Sequence, residues 1–98
     1  MKILALEQQV SNIKPEQMRP YLEEEARCVW DLLQQSVVRE VYFRADARRA
    51  VLILECDSGD EAEQILATLP LVREGLITFE FVPLAPYPGF SRLFASQF

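Results

Sequence analysis

The sequence predicts an α+β domain: a βαββαβ chain forming a four-stranded antiparallel sheet with two helices on one face. Three observations lead there. Two stretches of helical periodicity each lie between strand-like runs. The two middle strand-like runs are joined by a connection short enough for a hairpin. At 98 residues, half of them hydrophobic, the chain is sized for one domain around one core. Right-handed crossovers from the first strand to the second and from the third to the fourth then produce the ferredoxin-like arrangement.

Residues 2–9, "KILALEQQ", read as the first strand. "SNIK" turns the chain. Pro15 suits a first helical turn, where its missing N–H would be unpaired anyway. Over residues 15–35, Met18, Leu22, Ala26, Val29 and Leu33 recur at three- and four-residue steps, the mark of one helix face. Pro20 implies a kink or a late start. "VVREVYFR" (37–44) and "AVLILEC" (50–56) are rich in β-branched and aromatic residues, with "ADAR" as the hairpin connection. Ser58 and Glu61 form a capping box ahead of a second helical stripe, Ala62, Ile65, Leu66 and Leu69, which Pro70 stops. "LITFEFV" (76–82) is the last strand. Residues 1–83 make the domain. Residues 84–98 make an arm that stays aromatic to its end, with Tyr87, Phe90, Phe94 and Phe98 behind Pro83, Pro86 and Pro88. Such an arm is expected to pack on its own or on a partner subunit.

Alternation along the strands divides the sheet into two faces. With Leu4, Leu6, Val41, Phe43, Leu52, Leu54, Phe79 and Phe81 turned to the helices, the other face carries Ile3, Ala5, Glu7, Val38, Glu40, Tyr42, Arg44, Val51, Ile53, Glu55, Thr78, Glu80 and Val82. A four-residue hairpin sets Tyr42 opposite Val51 and Glu40 opposite Ile53. This second face mixes apolar and acidic residues, as a subunit interface does. It predicts a homodimer, sheet against sheet, with the arm crossing to the partner or folding back on its own subunit.

The formal charge is −5, and the pI is about 4.7. Nucleic acid and anionic membranes favour basic surfaces, so neither is expected as a partner. There is no histidine, which removes the commonest general base and metal ligand. Cys28 and Cys56 form no metal motif, and no metal or cofactor is expected. No apolar run is long enough to span a membrane, and the N-terminus reads as a strand rather than a leader. A cytoplasmic protein with reduced thiols is expected.

Glu25 stands out. At 100° per residue it falls inside the apolar arc of the first helix, while Glu23, Glu24, Arg27 and Asp31 fall on the polar side. A carboxylate there is expensive unless partnered, and a buried carboxylate is what proton transfer near neutral pH needs. Arg39 shares the helix-facing parity of Val41 and Phe43 and is the candidate partner of Glu25, or a grip on a ligand's carboxylate. The bland alternative is a structural ion pair, or Glu25 meeting a neighbouring subunit. Tyr42 and Arg44 are candidates to orient a small acidic or phenolic ligand, or to serve an interface. Glu7, Glu40, Glu55 and Glu80 are too dispersed for a metal site. Trp30 is expected in the core.

"LATLPLV", "ITFEFVPL", the proline-rich "APYPG" and "VYFR" ending in Arg44 resemble the corresponding stretches of muconolactone isomerase-like proteins, over residues 16–89. The resemblance implies a dimeric α/β barrel, assembly into rings included. It implies a cofactor-free shift of a double bond in a small unsaturated lactone by moving a proton, with acid–base groups on the first helix. The chain departs from that pattern at several points. "LEEEARCVW" holds no lysine, Tyr87 stands where relatives carry His, and Arg39 and Val41 stand where they carry Trp and His. Three functions are compatible with the residues: a proton-transfer isomerase, a non-catalytic small-ligand module, and a structural homo-oligomer. A cofactor-free oxygenase is compatible by analogy of fold alone.

Overall fold

The computed structural model describes residues 1–94. Strand β1 (Lys2–Gln9) leads through a turn with Asn12 at φ 66° into a short helix α1 (Pro15–Met18). A 3₁₀ turn (Arg19–Tyr21) follows, then the main helix α2 (Leu22–Gln34). Strands β2 (Val38–Phe43) and β3 (Ala50–Glu55) form a hairpin. Helices α3 (Gly59–Leu66) and α4 (Pro70–Arg73) precede strand β4 (Ile77–Leu84), and a 3₁₀ segment (Gly89–Leu93) lies in the arm. The sheet order is β2-β3-β1-β4 with every pair antiparallel, as the βαββαβ order requires.

The single helix expected over 15–35 is split. Pro20 lacks an N–H, so the α-helical ladder gives way to a 3₁₀ turn and restarts at Leu22. Pro70 likewise does not merely end α3. It opens α4 at the first helical position, where its ring is tolerated. The Ser58 cap forms: its Oγ accepts the Glu61 N–H at 3.1 Å, while the Glu61 carboxylate reaches one residue further back and accepts the Asp57 N–H.

Both α2 and α4 end in the same way before a strand. After α2, Ser36 N–H donates to Leu33 C=O and Val37 N–H to Leu32 C=O. After α4, Gly75 and Leu76 repeat the pattern onto Val72 and Leu71. These are Schellman caps, and each needs a left-handed residue. Gly75 adopts φ 74° without a Cβ penalty, whereas Ser36 adopts φ 63° with one.

The core lies between the sheet and the helices. Ile3, Ala5, Val38, Leu52 and Leu54 from the strands meet Ala62, Leu66 and Leu69 from the α3 segment, all buried. Cys28, Val29, Leu32 and Leu33 of α2 pack on them half-buried. Hairpin register is as expected, with Tyr42 opposite Val51 and Glu40 opposite Ile53. Two side assignments are corrected. On β1 it is Ile3 and Ala5, not Leu4 and Leu6, that turn to the helices. Val38 also turns inward, because a bulge between Val38 and Glu40 inserts Arg39 as an extra residue and reverses parity across it.

The arm leaves the body. The molecule measures 61 × 28 × 22 Å with a radius of gyration of 16.6 Å. A compact chain of this length would have about 13 Å. Tyr87 and Phe90 stack edge to face at 5.0 Å, yet both remain exposed, as do Leu93 and Phe94. Phe98 lies outside the described residues.

Two stability effects follow. Leu54→Ala empties a fully buried site in the middle of the sheet and should destabilise by about 2–5 kcal/mol in urea unfolding. Ser36→Gly should stabilise by up to about 1 kcal/mol, the relief of the left-handed Cβ less the flexibility that glycine adds to the unfolded chain.

Candidate functional site

A cavity of about 440 Å³ opens between α2, the hairpin end of the sheet and the start of α4. Its walls are apolar: Val29 and Leu33 from the helix, Leu52 and Phe79 from the sheet, Leu69 and Leu71 from the α4 segment. The rim is apolar too, although it faces water. Trp30 is 60% exposed and Phe43 69% exposed, with Leu22 and Val41 beside them. Trp30, expected in the core, is thus at the mouth, because the cavity occupies the space under that part of α2.

Two carboxylates interrupt this lining, Glu25 and Glu7. Glu25 sits on the inner side of α2, half-buried, and its Oε1 accepts the Leu71 N–H at 2.9 Å. Leu71 is the second residue of α4, so its N–H has no partner within that helix. Proline at the first position and a helix-borne carboxylate together satisfy the helix start. Glu7 reaches the cavity because β1 turns its odd-numbered residues inward. Beyond the last β1–β3 pair, Leu6 with Val51, the Ala50 N–H donates to Glu7 Oε1 at 2.9 Å. Each carboxylate is therefore held at one oxygen by a backbone N–H.

Electrostatics separate Glu25 from an ordinary surface acid. Burial pushes its carboxyl above the usual value of 4.5, with the Leu71 N–H opposing, the Glu7 carboxylate adding to the rise, Arg73 opposing and Glu24 adding. Arg73 is committed elsewhere, lying 3.8 Å from Glu24 and 3.2 Å from Glu74 on the exposed surface. Among the described residues no cationic side chain lines the cavity.

The other sequence candidates lie away from it. Arg39 does not meet Glu25: the bulge carries it out to solvent, where its Nε donates to the Ser36 carbonyl at 2.6 Å. Tyr42 is on the opposite face of the sheet, and its hydroxyl donates to Glu40 at 2.6 Å, which pushes the phenol up. Arg44 forms a two-pronged pair with Asp46 at 2.8 and 2.7 Å at the exposed hairpin, holding that carboxyl below the usual range. Glu55 meets the N-terminal ammonium at 3.2 Å. Among the described residues no group of three or more His, Cys, Asp or Glu could hold a metal ion. Cys28 and Cys56 are unbridged, and burial pushes both thiols up. No described helix is long and apolar enough to cross a membrane.

Glu7 and Phe43 are the site residues that sequence reasoning missed in this role. Phe43 was given the correct face but no part in the cavity. Glu7 was assigned to the wrong face. Residues 3–6 are apolar in both parities, so alternation alone could not orient β1.

No family model matches the chain, and no curated protein matches it in sequence. Solved structures do match in shape. One is muconolactone isomerase, with a TM-score of 0.72 and 16% identity over 90% of this chain and 92% of that one. Another is 5-chloro-2-hydroxyhydroquinone dehydrochlorinase from Burkholderia phenoliruptrix, solved with 2,5-dihydroxybenzoquinone. It aligns with a TM-score of 0.64 and 15% identity over 91% of this chain and 98% of that one. The chain therefore has the muconolactone isomerase-like fold.

Proposed function

We propose that this chain is a cofactor-free acid–base protein, muconolactone isomerase-like in chemistry as in fold, in which Glu25 moves a proton on a small unsaturated ring compound such as a lactone. The observation that carries this reading is a carboxyl with raised proton affinity inside an apolar cavity, fixed at one oxygen by the Leu71 N–H. A carboxyl raised toward working pH can both take and return a proton. Glu25 would remove a proton from a ring carbon beside the carbon–carbon double bond. The electron pair would delocalise toward the ring carbonyl, and the carboxylic acid would return the proton at the far end, leaving the double bond shifted. The two structural neighbours act on small ring compounds, which supports the size class.

The same reading makes the protein a cytoplasmic homodimer. The outer face of the sheet carries Leu4, Leu6, Val51, Ile53 and Val82, with Glu40 and Glu80 among them. The corrected parity of β1 makes it more apolar than alternation suggested. A half-exposed apolar patch of this kind favours a protein partner, and in this reading the aromatic arm would reach a second copy. The alternative reading is a non-catalytic ligand-binding or structural homo-oligomer of the same shape.

Three experiments test these statements. In D₂O with an uncharged butenolide, the wild type should exchange the proton beside the double bond, as followed by NMR. Glu25→Gln should slow exchange about 10²–10⁴-fold with ligand affinity retained; unchanged exchange in the variant would remove Glu25 from the chemistry. Because the folded state holds the Glu25 proton to higher pH than the unfolded state, stability falls as pH rises from 4.5 through the raised folded value. Glu25→Gln should therefore melt higher than wild type at neutral pH, with the gap closing below pH 4.5. Sedimentation should find a dimer at micromolar concentration, and Ile53→Lys should shift it to monomer; a lone 11.3 kDa wild-type species would end the dimer reading.

A further inference from the structure

We infer that residues 87–94 form an aromatic knob that docks ready-made on the outer sheet face of a second copy, and that Gly89 is the residue that permits its shape. This rests on the homodimer reading and says how the arm engages. The knob is held by local contacts. Tyr87 and Phe90 meet edge to face at 5.0 Å. The Ser91 N–H donates to the Pro88 carbonyl at 3.3 Å, and the Ser91 hydroxyl donates to the same oxygen at 2.8 Å. The Phe94 N–H donates to the Ser91 carbonyl at 3.1 Å. Pro86 and Pro88 fix their own φ angles and restrict the residues before them, Ala85 and Tyr87. At the centre lies Gly89, buried in a stretch whose large side chains are exposed. Its φ is not left-handed, since the glycine with a positive φ is Gly75. Gly89 therefore supplies room rather than torsional freedom. A Cβ at this position would overlap the Tyr87 ring and hydroxyl.

Its own subunit does not cover the knob. Leu84 pairs with Lys2 at the end of the sheet away from the hairpin, and the arm leaves the body from there. Tyr87, Phe90, Leu93 and Phe94 all stay exposed. Charge points to a second copy as the occupant of the outer face. Arg92 is the single charged side chain in residues 84–98. Glu40 and Glu80 stand exposed on the outer face, among half-exposed Leu4, Leu6 and Ile53. An apolar knob with one cation thus complements an apolar face with two acids. A knob already in shape also loses less conformational freedom on docking than a loose tail, so the same contacts hold more tightly.

The test reads the dimer dissociation constant by sedimentation of the full chain. Gly89→Ala displaces the Tyr87 ring without touching the core. It should weaken the dimer about tenfold or more while the domain amides keep their NMR shifts. Tyr87→Ala should weaken the dimer as well. Adding Gly89→Ala to Tyr87→Ala should then change little, because the ring that the Cβ would meet is gone. In the monomeric Ile53→Lys variant the Gly89 α-protons should keep a Tyr87 ring-current shift; random-coil shifts there would overturn ready-made docking. Unchanged dissociation in Gly89→Ala, or the full tenfold loss again in the double variant, would overturn it too. If Ile53→Lys stays dimeric, or if isotope-filtered NOEs join the Phe90 ring only to its own chain, the knob does not dock on this face and the inference fails. A wild type that sediments as a monomer at every concentration would end the homodimer reading and this inference together. The other adverse outcomes leave a wild-type dimer in place and fall on the inference alone.

Discussion

Strand β1 is a central strand with apolar residues on both of its faces, and much of the rest follows from that. Ile3 and Ala5 close the core against α3, while Leu4 and Leu6 are left on the outer face. One strand thus creates both the interior and a surface that water covers poorly. The same parity carries Glu7 inward at the point where β1 runs past its last partner on β3. Core, outer face and site are three consequences of one alternation.

The cavity depends on a second constraint, the two prolines that interrupt helices. Pro20 prevents one continuous helix and sets the start of α2, which places Glu25 over the sheet. Pro70 opens α4 and leaves the Leu71 N–H as a donor with no partner in its own helix. Glu25 meets that donor. The interaction is structural in origin, since an unpaired helix start costs stability, yet it also orients a carboxyl toward an apolar space. Burial then raises that carboxyl, while the N–H holds it partly back. A desolvated carboxyl of this kind lowers stability unless its partners compensate for the lost water.

Several features were legible in the amino-acid pattern. The hairpin could be paired from Glu40 with Ile53 to Tyr42 with Val51, though not across the bulge to Val38, because β-branched and aromatic runs so close together leave few registers. The Ser58 cap and the α3 stripe were legible because capping and periodicity are local. Glu25 was legible as an acid inside an apolar arc. Other features were not. Glu7 was hidden because "ILAL" satisfies both parities, and Arg39 because a bulge reverses alternation without any glycine to announce it. Phe43 and Trp30 read as core, since an aromatic at the rim of a cavity has the same sequence signature as one at its centre.

The sequence by itself determined the order of elements, the ferredoxin-like topology and the presence of one anomalous carboxylate. These depend on interactions between residues close in the chain or on alternation within single strands. Only the tertiary structure decided which face of β1 turns inward, which donor holds Glu25, and that a second carboxylate shares its cavity without a cation. Those outcomes depend on where two strands stop pairing and where a helix begins relative to another, and residues 43 and 46 positions apart meet there. Such distances are settled by packing of the whole chain, which no local pattern encodes.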